Sequence, residues 1–315
     1  MRQTLYGMLC MPTVTHRVTY ASQCLHARIH IMHRRTVLKS AAAASVALAA
    51  QSLPKKATAG QFTGKIKKAI KLHMATGNES VLEKFRMIRD IGFDGVEPRV
   101  KLGKENEALV RSYAEASEAT GLPIHGVVHS SNPDLVGAID QAKMLGASSV
   151  LHVVRYDRKI SYLQNYEETK QIIRQAIGHA EKQGVMILCE NVWASYLIEP
   201  MGMARFIDSF DSPMVGIYFD VGNVVRWGWP EHWLEVIGRR AKKLDIKEYD
   251  LTVAMNEGMR EGFRKPLGEG SIEWDKVRAE LAKIDYRGWA TAEVKGGDRD
   301  RLVDIAEQMD RVLDL

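Results

Sequence analysis

A single (β/α)8 barrel is the architecture that three features of this sequence predict. A distinctive leader is followed by 256 residues, eight apolar strand-like runs recur along them, and helical stretches separate the runs. Barrels of this kind typically need about 250 residues.

The leader comes first. Residues 1–59 hold eight Lys or Arg and no Asp or Glu, so the chain's formal charge of +5 belongs to this segment. Residues 60–315 carry thirty-six basic against thirty-nine acidic side chains, a net charge of about −3. A mildly acidic body disfavours a nucleic-acid partner. Within the leader, Arg34 and Arg35 precede the short apolar run "AAAASVALAA", and "ATA" at 57–59 offers a small-residue cleavage site. That order reads as a twin-arginine export signal and predicts an exported, periplasmic protein. Met32 is an alternative start, which would make residues 1–31 a mis-assigned extension. The domain division is therefore 1–59 leader and 60–315 barrel. No run approaches 18 consecutive apolar residues, so no membrane span is expected. Cys10 and Cys24 lie in the leader, which leaves Cys189 alone in the body, without a partner for a disulfide or a cysteine-based metal cluster.

The strand-like runs follow in order: "AIKLHMA" from Ala69, "GVEPRV" from Gly95, "PIHGVVH" from Pro123, "SSVLHVV" from Ser148, "VMILCENV" from Val185, "VGIYFDVGN" from Val215, "AKKLDIKEY" from Ala241 and "WATAEV" from Trp289. Continuous apolar runs of this length indicate strands covered on both faces, as in a parallel sheet. Between them lie helical patterns such as "ESVLEKFRMIRDIG", "ENEALVRSYAEASEATG" and "NYEETKQIIRQAIGHAEKQG". Several of these close on a glycine, at Gly92, Gly121, Gly146 and Gly184, the usual helix stop. A doubly wound open sheet is the alternative, but no G-x-G-x-x-G follows the first run.

The last four runs share an oddity. Each ends on an acid: Glu190 in "MILCENVW", Asp220 in "GIYFDVGN", Asp245 in "KKLDIKEYD" and Glu293 in "ATAEVKGG". In a barrel, residues at strand C-termini line the active site. Neighbouring strands are about 4.8 Å apart, so four inward carboxylates would converge and repel one another. A hard divalent cation relieves that repulsion, and all-oxygen donors suit Mn²⁺ or Mg²⁺, with Co²⁺ or Zn²⁺ as further options.

The motifs "GFDGVE", "LCENVW", "YFDVGNVVRWGWPEHWLEVIG", "PLGEGSIEW" and "GWATAEVKGGD" resemble the xylose-isomerase-like TIM barrels, over essentially all of residues 65–313. That group contains sugar isomerases and epimerases, with endonuclease IV as a distant relative. The resemblance implies a metal-dependent isomerase or epimerase acting on a small sugar or keto-sugar. Glu190, Asp220 and Glu293 would ligate the ion, and the two glutamates would serve as the acid/base pair around an enediolate. Where the family usually has a histidine ligand on the seventh strand, this chain has Asp245, which can still ligate. Lys247, on the same inward face, would offset one negative charge or simply pair with Asp245. Asn223 stands where many relatives have a histidine, which alters a sugar contact. His129 resembles a substrate-contacting position.

Weaker candidates complete the set. Glu97 ends strand two and reads equally as a substrate contact or a structural ion pair. Trp193 would stack on a sugar face or pack internally. His73 and His152 are candidate core histidines, and Trp227, Trp229 and Trp233 form an aromatic cluster suited to a wall or a subunit contact. The glycines of "PLGEG" would cradle a phosphate through backbone N–H groups. Homo-oligomers are common in the family, but no interface can be read from the sequence. Two other functions stay open: a sugar-binding barrel that has lost turnover, and an endonuclease IV-like phosphodiesterase, which would want more histidines than the single His232 beyond Glu190.

Overall fold

A computed structural model describes residues 59–315, other than positions 155 and 195. The proposed export signal therefore lies outside the described residues. Eight parallel strands are found among those residues: β1 (Ile66–Lys71), β2 (Gly95–Glu97), β3 (Val127–Ser130), β4 (Ser149–Val153), β5 (Met186–Glu190), β6 (Val215–Asp220), β7 (Ala241–Ile246) and β8 (Gly288–Ala292). They alternate with α1 (Val81–Ile91), α2 (Glu107–Thr120), α3 (Leu135–Met144), α4 (Tyr162–Gln183), α5 (Pro200–Asp208), α6 (Pro230–Ile237), α7 (Leu251–Glu257), α8 (Trp274–Lys283) and α9 (Arg299–Leu313).

The strands run in the order β2-β1-β8-β7-β6-β5-β4-β3. β2 and β3 close the ring only through the isolated bridges Val96–Ile124 and Arg99–Val128. Pro98 explains part of that weakness, because it has no N–H to give to a ladder. Two strands differ from the sequence reading. β1 begins at Ile66, and residues 72–74 turn into a short 3-10 helix although Leu72 and Met74 are apolar. The third run "PIHGVVH" becomes regular strand only from Val127.

Helix boundaries follow local chemistry. Ser80 and Ser161 cap α1 and α4 in reciprocal capping boxes with Glu83 and Gln164. Gly92, Gly121 and Gly184 end α1, α2 and α4 in left-handed conformation, as their positions predicted. A large apolar layer joins the outer strand faces to the helices. A smaller one, Val128, Leu151, Leu188 and Tyr218, fills part of the barrel lumen. Much of the remaining lumen is polar: Lys71, Glu97, His125, Lys243, Asp245 and Thr291 are all buried. No helix among the described residues is long and apolar enough to cross a membrane.

Candidate active site

The four strand-end acids meet. Glu190 and Asp220 are the last residues of β5 and β6, Asp245 lies in β7, and Glu293 directly follows β8. Asp220 and Asp245 are direct cross-strand partners. One carboxylate oxygen from each of the four lies within 4.8 Å of the others, in the only such group of potential ligands among the described residues. Glu190, Asp220 and Asp245 are buried, while Glu293 keeps some exposure.

Local chemistry holds them there. Asn191 clamps the neighbouring strand, its Oδ1 accepting from Asp220 N at 2.8 Å and its Nδ2 donating to Asp220 O at 2.8 Å. Asp220 Oδ1 accepts from Gly222 N and Asn223 N, both at 2.9 Å, which fixes the carboxylate at the head of its loop. Position 222 must be glycine, since a Cβ there would come within 2.6 Å of Lys247 Cβ. Asn223 Nδ2 donates to Glu190 Oε1 at 3.3 Å and to Asn191 O at 3.1 Å.

Two lysines answer the crowding of acids. Lys247 Nζ is 2.6 Å from Asp220, 3.0 Å from Glu293 and 4.0 Å from Glu190. It does not pair with Asp245. That partner is Lys71, whose Nζ is 2.6 Å from Glu97 and 3.1 Å from Asp245. Residues two apart on a strand are separated by about 6.6 Å, farther than the neighbouring strand at about 4.8 Å. Lys247 therefore reaches Asp220 and Glu293, and Lys71 reaches Glu97, from adjacent strands, while Asp245 meets Lys71 across the lumen from two strands away. If all were ionised, five carboxylates against two ammonium groups would leave an excess of three negative charges.

The excess appears in the titration behaviour. Burial pushes Glu190 up to about 8, with Lys247 pulling the other way and Glu293 and Asp220 adding to the rise. Burial also raises Asp220 and Asp245. For Glu293 burial acts upward too, but Lys247 and Lys71 outweigh it and bring the group down to about 2. A cation brought into the cluster would lower the raised groups.

The donor set fits such an ion. Asp245 Oδ1 is buried with no hydrogen-bond partner among the described residues. Ligand oxygens on opposite sides of a hard divalent ion are about 4–5 Å apart, the size of this cluster. Lys247 Nζ occupies part of the same space and would have to shift to admit it.

Beside the acids opens a cavity of about 760 Å³, lined in part by Asn223, Lys247, Phe263, Glu293 and Arg301. Other sequence candidates are placed elsewhere. Glu97, fully buried, accepts from Lys71 and from Tyr218 Oη at 3.0 Å, an internal network position rather than the cavity wall. Trp193 gives its indole N–H to Asn223 O at 2.8 Å, and its ring packs between Phe263 at 5.2 Å and the Arg226 guanidinium at 4.6 Å. His129 is buried with neither ring nitrogen hydrogen-bonded, and no hydrogen bond or ion pair joins it to the acids. His152 is buried on β4 and His73 is exposed after β1. Trp227 and Trp229 are exposed, whereas Trp233 packs on Phe219.

The "PLGEG" loop corrects an expectation. Its Gly268 amide and two N–H groups beyond the loop face a protein carboxylate: Glu248 accepts from Gly268 N at 2.7 Å, Ile272 N at 3.4 Å and Trp274 Nε1 at 3.0 Å. The Gly268 amide is therefore not open to a phosphate. Lys71, Asn191, Glu248 and Phe263 are the residues missed by sequence reasoning. Lys71 left a signal there as a charge inside an apolar run, and Glu248 as an acid ahead of a glycine-rich loop.

Comparison with known proteins agrees with this geometry. A family model described as "Xylose isomerase-like TIM barrel" matches residues 85–314. The chain belongs to that family. Solved structures with the same fold include D-allulose 3-epimerase from Methylomonas sp., at 17% identity and TM-score 0.63, covering 79% of this chain and 98% of that one. The 3-keto-D-glucoside 4-epimerase of E. coli matches at 18% identity and TM-score 0.61, covering 79% and 99%. An L-ribulose 3-epimerase matches at 15% identity and TM-score 0.65, covering 79% and 94%. No curated protein sequence matches.

Proposed function

We propose that this barrel is a divalent-metal-dependent isomerase or epimerase of a small keto-sugar or related hydroxy-carbonyl compound. The observation that carries the reading is the convergence of Glu190, Asp220, Asp245 and Glu293, from four consecutive strands, beside a cavity of sugar-binding size. The epimerases named above share the fold and give the reading its chemical class.

The four carboxylates would hold a divalent ion, Mn²⁺ or Mg²⁺ by donor type, which would supply Lewis acidity toward the substrate's carbonyl and neighbouring hydroxyl. Glu190 and Glu293, arriving from β5 and β8, act as the acid/base pair. One removes the proton from the carbon next to the carbonyl, and the other returns a proton to the enediolate. Lys247, once shifted out of the ion's space, would still carry a positive charge close to the site, where it opposes the negative charge that develops. Asn223 orients Glu190, and Phe263 forms an apolar wall of the cavity. The leader's twin-arginine pattern supports action outside the cytoplasmic membrane, which fractionation of a tagged full-length protein tests.

Elemental analysis with solvent-deuterium exchange tests the function. About one Mn, Mg, Co or Zn per chain, lost in Glu190→Gln, together with deuterium entering a ketose next to its carbonyl, is the expected result. One observation favours a second reading: Lys247 bridging three acids suits a sugar-binding barrel without turnover. Sugar binding without metal or exchange would select it.

A further inference from the structure

Beyond the four acids, the 760 Å³ cavity has an unusual wall. Arg264, Lys295 and Arg301 line it together with Lys247, against only two acids, Glu248 and Glu293. Both acids are committed, Glu248 to the backbone and indole N–H groups and Glu293 to Lys247. Arg264 is tied to Glu257 and Glu261, and Arg301 to Asp304 and to Lys295 O at 3.3 Å. Both arginines still have N–H donors to spare, because each guanidinium carries five. Lys295 makes no ion pair or hydrogen bond through its side chain among the described residues. A neutral polyol is recognised by a balance of donors and acceptors. This wall supplies donors, with positive charge.

We propose that the substrate carries an anionic group, a carboxylate, at the end remote from its reacting hydroxy-carbonyl carbons, and that Lys295 and Arg301 bind it. The inference rests on the cavity being the substrate site of the isomerase described above. A carboxylate fits better than a phosphate because most amides of the glycine-rich loop at 267–272 are already taken. Leu267 N is taken by Gln308 at 3.0 Å, Gly268 N and Ile272 N by Glu248, Glu269 N by Pro266 O and Ser271 N by Tyr249 O. In the first turn of α9, Arg301 N is taken by Asp298 at 3.1 Å. Phosphate sites usually exploit such free amides. Planar carboxylates are well served by guanidinium and ammonium groups alone.

The test uses three ketohexoses that differ only at C6: fructose, fructuronate and fructose 6-phosphate. Calorimetric Kd values are measured on Mn²⁺-supplemented full-length protein and on Lys295→Ala and Lys295→Ala/Arg301→Met. Fructuronate is expected to bind at least 10-fold more tightly than fructose and more tightly than the phosphate. Lys295→Ala should lower that preference several-fold, and the double variant should bring it close to one while the fructose Kd stays within 2-fold. Equal binding of fructose and fructuronate, a preference that survives in the double variant, tighter binding of the phosphate, or no binding of fructuronate would each overturn the proposal. Deuterium exchange on the same samples separates the two readings. Carboxylate preference without exchange defeats the isomerase alone, and exchange with neutral fructose but no preference defeats this proposal alone.

Discussion

Replacing Lys71 by methionine should damage the barrel strongly while leaving all four strand-end acids intact. The Lys71 ammonium is essentially inaccessible, lies between Glu97 at 2.6 Å and Asp245 at 3.1 Å, and sits 4.7 Å above the Tyr218 ring. Burial opposes its charge, but Asp245 and Glu97 outweigh burial and push its pKa above the usual lysine range. Methionine preserves most of the volume and removes the charge, which leaves two carboxylates facing each other in the lumen. Breaking a buried pair from one side costs about 3–5 kcal/mol. For a domain of this size that is roughly a 10 °C fall in Tm, at about 2–4 °C per kcal/mol. Urea unfolding of chelator-treated protein measures it. Lys71→Met/Glu97→Gln should recover at least about 1 kcal/mol relative to the sum of the single changes, because residues in direct contact couple. A Lys71→Met protein within about 1 kcal/mol of wild type, or strictly additive changes, would refute the idea that this lysine neutralises the acids.

Four further outcomes are expected. Glu248→Gln places an amide NH₂ where several N–H groups need acceptors, so it should cost about 1–3 kcal/mol and speed hydrogen exchange at residues 267–272. Gly296→Ala should destabilise by about 1–3 kcal/mol in thermal unfolding, since a Cβ there meets the Met74 carbonyl oxygen at 2.0 Å. Gly178→Ala, inside α4 with nothing within 4 Å of the new carbon, should instead stabilise by about 0.5–1 kcal/mol. Burial holds His152 down at about 4 from its ordinary 6.5, so below pH 6.5 the unfolded chain takes up a proton that the folded chain refuses. Stability should therefore fall between pH 6.5 and 4, by about 3 kcal/mol in all, and His152→Phe should flatten that part of the pH profile.

How much of this was legible in the sequence depended on the direction in which each interaction runs. Glu190, Asp220, Asp245 and Glu293 were visible because each ends an apolar run, and a carboxylate at the end of a buried strand needs a reason. The barrel order that brings them together followed from repetition alone. Partners across the ladder were not visible. Lys247 was expected to answer Asp245 from two residues away on the same face, yet the register places it against Asp220 and Glu293, and Asp245 turns to a lysine 174 positions earlier in the chain. Nothing in "AIKLHMA" shows that β1 and β7, separated by β8 in the sheet, project to the same point in the lumen; only ring closure does that. The same limit explains Glu97, which could have served a ligand or a lysine and was given to Lys71 by the pairing of residue 71 with residue 97.

The glycine loop was misread for a different reason. It was read as an open surface offered to a ligand, and an unsuspected internal partner, Glu248, had already taken its Gly268 amide. Trp193, by contrast, takes the packing that was one of its two readings, against Phe263 and Arg226. A buried acid next to a glycine-rich loop should therefore be considered as that loop's anchor before the loop is assigned a phosphate. "KEYD" followed by "PLGEG" supplied the acid and the loop, and at roughly twenty residues apart they span one strand-to-helix connection. Anchoring the loop through Glu248 takes its Gly268 amide and leaves cationic side chains prominent in the cavity wall. A wall carrying Arg264, Lys295 and Arg301 is the reason to expect a carboxylate there.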